Sequence, residues 1–80
     1  MNDKSILERI TELSEEELHL EEQLSADAHS DESRTRLSSI EVELDQCWDL
    51  LRQRRARRSA GQDPDDAHVR SAGVVEHYLQ

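Results

Sequence analysis

The sequence has few of the residues that build a large core or a cysteine-based site. Phenylalanine is absent, Trp48 and Tyr78 are the only aromatic residues, and Cys47 is the only cysteine among the 80 residues. A single cysteine excludes an intramolecular disulfide and a zinc site built from several cysteines. With 34% apolar residues, the chain can fold at most one thin domain, and we expect oligomerisation to supply extra stability.

Glycine-rich loops, long apolar runs and a leader segment are also missing. Gly61 and Gly73 are the only glycines, so there is no glycine-rich phosphate-binding loop. No apolar run approaches the roughly 20 residues of a membrane-spanning helix. The first residues show no charged-then-apolar signal region. We therefore expect a cytoplasmic protein that makes no use of a membrane.

The apolar residues that are present repeat with helical spacing. The net charge of −9 and the low apolar content favour disorder, but this regular spacing argues for folded helices. We call the apolar positions that would face a neighbouring helix the seam. In the first half, the seam spacing alternates between four and three if Glu17 is included. This spacing predicts an amphipathic helix over residues 3–24. Asn2 or Asp3 can cap it. The seam positions are Ile6, Ile10, Leu13, Leu20 and Leu24.

A second helix is predicted over residues 31–59. Ser30 or Asp31 can cap its start, and Gly61 followed by Pro64 is a typical helix end. Its apolar positions also alternate by three and four, as in the first helix. They are Leu37, Ile40, Leu44, Cys47 and Leu51.

Two amphipathic helices joined by a short loop form an antiparallel hairpin, here residues 1–60. The loop length places Leu20 near Leu37 and Ile6 near Leu51, and it leaves residues 54–58 overhanging the first helix. Flanking apolar residues widen the stripes, so we expect an all-α hairpin that dimerises into a four-helix bundle. Its dimer contact is predicted at Leu7, Leu18, Trp48 and Leu50. Residues 61–80 form a polar linker and tail, in which a short helix from Val74 onward either docks or frays.

An arginine cluster ends the second helix and is the most conspicuous charged feature. One interpretation is structural, because arginines stabilise a helix C-terminus and pair with nearby acids. The others are binding of an acidic protein or small anion, and binding of nucleic acid. The chain's overall acidity disfavours nucleic acid, as does the absence of aromatic residues between the arginines. The cluster is Arg52, Arg54, Arg55, Arg57 and Arg58.

Glu17 occupies a seam position where leucine is expected. A buried carboxylate must be paired or change its pKa. We interpret Glu17 as a polar residue that selects a partner or register, reached by Arg34, Arg36 or a partner's arginine. A metal-binding or proton-transfer role is the alternative. Together with Trp48 and the arginine cluster, Glu17 completes the predicted interaction residues.

His19 and its neighbouring glutamates have the spacing of half a carboxylate-bridged metal site. The ferritin-like pattern requires Glu-x-x-His on two helices with further inward glutamates. Here Glu16 and His19 match it once, and the second helix contains no counterpart. We therefore regard a metal-binding bundle only as an alternative, and predict no metal, cofactor or catalytic residue.

One block and several shorter stretches of the sequence carry a resemblance to a known family. They are EVELDQCWDLLRQRRARR (41–58) and the stretches 1–4, 6–7, 60–65, 67–70 and 75–80. On these residues the chain resembles a family of small, mainly actinobacterial proteins of unknown function. The resemblance implies a stand-alone protein and assigns no role to any residue. The function is therefore unknown, and we predict a non-catalytic, oligomerising protein-interaction module.

Overall fold

The computed structural model describes residues 1–26 and 31–78, and every regular element in these ranges is helical. Two long helices come first, α1 (Asp3–Ala26) and α2 (Asp31–Ser59). A single 3₁₀ turn follows at Pro64–Asp66, and a short helix α3 covers Ala72–Tyr78. The prediction of an all-α fold with two long amphipathic helices is confirmed.

The start of α1 is closed by a reciprocal pair of hydrogen bonds. The backbone N–H of Ser5 donates to Asn2 Oδ1 at 2.8 Å, and the N–H of Asn2 donates to Ser5 Oγ at 3.1 Å. These bonds satisfy donors that the first turn of a helix leaves without partners. Asn2 is therefore the cap. The proposed capping of α2 by Ser30 lies outside the described residues.

The end of α2 is closed by Gly61, which has a φ of 72°. This left-handed conformation lets the Gln62 N–H donate to the carbonyl of Arg57 at 2.8 Å and the Gly61 N–H donate to that of Arg58 at 3.2 Å. The pattern is the Schellman motif, and glycine favours it because it has no Cβ to clash.

The two long helices pack side by side in antiparallel orientation. Ion pairs join Arg9 with Glu43, and Arg36 with Glu16, so residues early in α1 meet residues late in α2. The buried apolar side chains form one cluster that draws on both helices. Its members are Ile6, Ile10, Leu13, Leu20, Ile40, Cys47, Leu50 and Leu51.

The C-terminal segment turns back along α2 and packs on it through both the 3₁₀ turn and α3. Asp63 caps the 3₁₀ turn by accepting from the Asp65 N–H at 2.9 Å. Val75 in α3 is completely buried. Because the molecule measures 50 × 25 × 15 Å, it is a thin slab rather than a thick globule. Across the described ranges, no helix has the length and apolar character needed to cross a bilayer.

Candidate interaction surface

The structure divides the arginine cluster into two groups, and the first serves the fold. Arg54 is only 5% exposed. Its Nη1 donates to the carbonyl of Pro64 at 3.1 Å and to Asp65 Oδ1 at 3.0 Å, while its Nε donates to Asp3. Arg58 Nη2 donates to the other oxygen of Asp3 at 2.7 Å. Arg54 therefore links three parts of the chain: α1, α2 and the 3₁₀ turn.

Asp3 is the acid on which this group depends. Hydrogen bonds from Arg58 and then from Arg54 hold the pKa of the Asp3 carboxyl below its usual range. Asp3 also lies in the first turn of α1, where a negative charge is favourable. α2 continues to Ser59, past the position where Arg54 meets Asp3, and the side chains of Arg54 and Arg58 reach back to this first residue of α1.

The second group of arginines projects away from these contacts. Arg52 and Arg55 are exposed and Arg57 is half-buried. Within residues 1–26 and 31–78, no ion pair involves any of these three side chains. They are the members of the cluster whose guanidinium groups remain accessible to a partner.

Glu17 is half-buried rather than buried. Arg36, one of the arginines expected to reach it, instead makes a bidentate contact with Glu16, donating from Nε at 2.7 Å and from Nη2 at 2.8 Å. The hydrogen bond from Arg36 lowers the pKa of the Glu16 carboxyl. One residue corresponds to about 100° of rotation on a helix. The predicted pairing with Arg36 is thus made by the neighbour of Glu17, which faces the side of the hairpin and not its centre.

The hairpin has two different sides along the line where α1 and α2 meet. The first, which we call the ion-pair side, carries the Arg9–Glu43 and Glu16–Arg36 contacts. Arg9 donates to both oxygens of Glu43 at 2.8 and 3.0 Å and also to Glu12 at 3.2 Å. These bonds raise the pKa of the Arg9 guanidinium, the Glu43 bonds having the largest effect.

The opposite side carries exposed apolar side chains. At about 100° per residue, Leu7 and Leu18 lie across the buried stripe of α1 from Arg9 and Glu16. The same rotation places Trp48 across the stripe of α2 from Glu43. The exposed fractions are 48% for Leu7, 58% for Leu18 and 46% for Trp48. We call this side, defined by these three residues, the apolar face.

Leu50 does not belong to the apolar face, and its predicted place at a dimer contact is wrong. It is 5% exposed and is part of the core cluster. Its position on α2 points it toward the ion-pair side, where Met1, Arg9 and Val69 line the same small cavity. The N-terminus and the C-terminal segment cover it there, which helix periodicity alone does not indicate.

The structure brings no metal ligands together around His19. The His19 ring lies beside the side-chain amide of Gln23, and the distance from His19 Nε2 to Gln23 Nε2 is 3.2 Å. Over the described part of the chain, no three histidine, cysteine, aspartate or glutamate side chains are grouped to hold a metal ion. Cys47 is buried. This burial is the main cause that raises the pKa of its thiol, and the negative charge of Glu43 adds to it. A thiol of this kind is a poor nucleophile at neutral pH.

Sequence reasoning missed the ion pair that attaches the C-terminal segment. Asp49, 2% exposed, accepts hydrogen bonds from Arg70 and, at 2.9 Å, from Gln53 Nε2. Gln53 also donates to the carbonyl of His68 at 2.8 Å, and Gln46 donates to that of Arg70 at 3.2 Å. A signal existed, because Arg70 is the only arginine or lysine in residues 61–80.

The fold and this surface define a small helical protein whose exposed residues include an apolar face and a few arginines. Residues 2–80 match the family described as "Protein of unknown function (DUF2630)", and the chain belongs to this family. Uncharacterized proteins of Mycobacterium bovis and Mycobacterium tuberculosis are 51% identical to it over 77 residues, covering 95% of this chain and 88% of each relative. No solved structure shows significant similarity to the chain. The predicted resemblance to an actinobacterial family of unknown function is confirmed.

Proposed function

We propose that the protein is a non-catalytic interaction module of the cytoplasm that pairs with a second copy of itself through the apolar face. The observation that carries this proposal is the exposure of Leu7, Leu18 and Trp48 on one side of the hairpin. The cross-helix ion pairs of Arg9 and Arg36 lie on the other side. Exposed apolar side chains gathered on one side of a small protein are typical of an interaction site.

The length of the apolar face along α2 favours another amphipathic helix pair as the partner that packs on it. Leu44 and Leu37 are only partly buried and pack against the edge of the core. Both lie on the same flank of α2 as Trp48 at about 100° per residue, so they extend the apolar face along the helix. Two such faces packed together form a four-helix bundle, which thickens the core of a molecule only 15 Å deep.

Charge favours an antiparallel arrangement of the two copies. Arg52 and Arg55 lie at the end of the face near the start of α1, and the exposed Glu21 and Glu22 lie at the opposite end, near the loop. A two-fold axis through the middle of the face, near Ser14, brings the arginines of each copy toward the glutamates of the other. The parallel arrangement brings the two arginine-bearing ends to the same end of the bundle, which is unfavourable.

A binding role is also supported by what the other candidate residues do. Arg54, Arg58 and Asp3 are engaged in holding the fold together. The Cys47 thiol is buried and its pKa is raised, and a buried, reduced cysteine fits a cytoplasmic location. Membership in a family of unknown function supplies no reaction to assign.

Sedimentation of the full chain at micromolar concentration tests the proposal. We expect about twice the 9.3 kDa chain mass. Trp48→Ser and Leu18→Ser each remove apolar contact area and should shift the protein toward the monomer. Val74→Ser is the matched control, because Val74 is also 46% exposed but lies on α3. It should leave the mass unchanged.

Charge reversal tests the antiparallel arrangement. Arg52→Glu alone should weaken association, and combination with Glu21→Arg and Glu22→Arg should restore it. A monomeric wild-type protein would refute the homodimer. Binding of nucleic acid that weakens steeply with salt, and that is lost when Arg52, Arg55 and Arg57 become alanine, would instead support the nucleic-acid alternative.

A further inference from the structure

The contact between α3 and α2 places two carboxyl groups together. Glu76 on α3 lies within hydrogen-bonding reach of the Asp45 carboxyl on α2. Its Oε1 atom is buried and has no hydrogen-bond partner among the described residues. Val75, the residue before it, is completely buried. Docking of Val75 therefore holds the Glu76 carboxyl against Asp45.

The charged groups around the Asp45 and Glu76 carboxyl groups do not offset their negative charge. The short helix α3 packs against α2. Two acidic side chains of α2, Asp45 and Glu41, face Glu76. The nearest arginine along the segment, Arg70, binds Asp49. On α3 itself, His77 is exposed. Within the described ranges, Glu76 has no ion pair with a basic side chain.

Two carboxyl groups in contact are stable only if they hold one proton between them. The shared proton supplies the donor that neither carboxylate has. Contact with Asp45, then burial, then the charge of Glu41 raise the pKa of Glu76 above its usual value. If both groups ionise, they repel each other and leave a charged oxygen buried without a donor.

We propose that α3 is a pH-sensitive latch, docked on α2 while Asp45 and Glu76 share one proton and loosened when both carboxyl groups ionise. The latch depends only on the α2–α3 contact and is independent of the proposed dimer. Segment 63–70 stays attached through Arg54 and through the Asp49–Arg70 pair. Release is therefore confined to α3.

The direction of the pH effect follows from proton linkage. Because the docked form binds the proton more tightly than the released form, docking is strongest below the ordinary glutamate pKa. It weakens as pH rises through the raised pKa of docked Glu76. For one proton, the docking equilibrium constant falls by at most about tenfold per pH unit in this window.

NMR of the Val75 methyl groups in the full chain tests the latch. As the pH rises from about 5 to about 8, above the ordinary glutamate value, the methyl shifts should move toward those of an unstructured chain. Glu76→Gln should keep α3 docked at both values, because its amide donates to the Asp45 carboxylate and does not titrate. Asp45→Asn should behave in the same way.

The control is Glu8→Gln, which removes one negative charge from an exposed position on α1 and should leave the pH response intact. Circular dichroism at both pH values should show that α1 and α2 persist, which separates release of α3 from unfolding. The latch is refuted if the wild-type Val75 shifts do not change with pH. It is also refuted if Glu76→Gln and Asp45→Asn both keep the wild-type response, or if the whole chain unfolds across this range.

Discussion

Arg70 from the C-terminal segment binds the buried carboxylate of Asp49 on α2, its Nε donating to Oδ2 at 2.9 Å and its Nη2 donating to Oδ1. The hydrogen bonds from Arg70 are the main reason that the pKa of Asp49 lies below its usual range, and Gln53 contributes a further bond. A buried carboxylate without such donors is strongly unfavourable. This pair therefore ties the attachment of the C-terminal segment to the stability of α2.

Replacing Arg70 should detach the segment. Arg70→Met keeps most of the side-chain volume but leaves Asp49 buried with Gln53 as its remaining donor. We expect a loss on the order of 1–3 kcal/mol in the free energy of docking, since a buried polar group loses its partner. Hydrogen exchange of the Val75 amide at constant pH should show the loss of protection.

Lys4→Met is the control for this change, because it also removes one positive charge, from an exposed position on α1. Protection of Val75 should stay at the wild-type level in that variant. If Arg70→Met also keeps wild-type protection, the ion pair with Asp49 does not hold the segment in place.

Replacing two adjacent arginines of the cluster should have very different effects on stability. Arg54→Met removes contacts to Asp3, Asp65 and the carbonyl of Pro64, so the folding equilibrium constant should fall by about tenfold or more. Arg55→Met changes an exposed side chain and should change stability by less than about 0.5 kcal/mol. Urea unfolding of both variants measures the difference, and equal losses would contradict the division of the cluster.

The long helices could be predicted because their apolar residues repeat with a period that only a helix satisfies. The same reasoning narrowed the start to Asn2 or Asp3 and identified the end at Gly61, where local hydrogen bonding decides the backbone conformation. Side-chain pairing was harder. Glu16 and Glu17 differ by one position, and only the rotation of α1 against α2 determines that Arg36 meets Glu16.

The sequence patterns of the two long helices could not predict which residues of α2 the C-terminal segment buries. Asp49 lies off the apolar stripe of α2, so periodicity assigns it to solvent, and its burial depends on a segment more than 20 residues away. Leu50 is covered for the same reason. The segment leaves Trp48 46% exposed, and the role of Trp48 as an interaction residue stays a prediction.

Acid should destabilise the hairpin through its cross-helix ion pairs. The pKa of Glu16 is lowered by Arg36, and that of Asp3 by Arg58 and Arg54. A carboxyl with a lowered pKa contributes stability above its ordinary value, and that contribution is lost as pH falls through the lowered value. Stability against urea should therefore fall as the pH drops from about 5 to about 3, across and below the ordinary carboxyl range.

Two neighbouring glutamates provide the matched test of this acid effect. Glu16→Gln cannot ionise, so its stability should depend less on pH between about 5 and about 3 than that of the wild type. Glu15→Gln changes an exposed residue outside the ion pairs of the described chain and should keep the wild-type slope. The slope of the unfolding free energy against pH is proportional to the difference in bound protons between the unfolded and folded states. Urea unfolding at several pH values measures this slope. Identical slopes for the two variants would show that the Glu16–Arg36 contact contributes nothing to the acid response, despite its 2.7 Å distance.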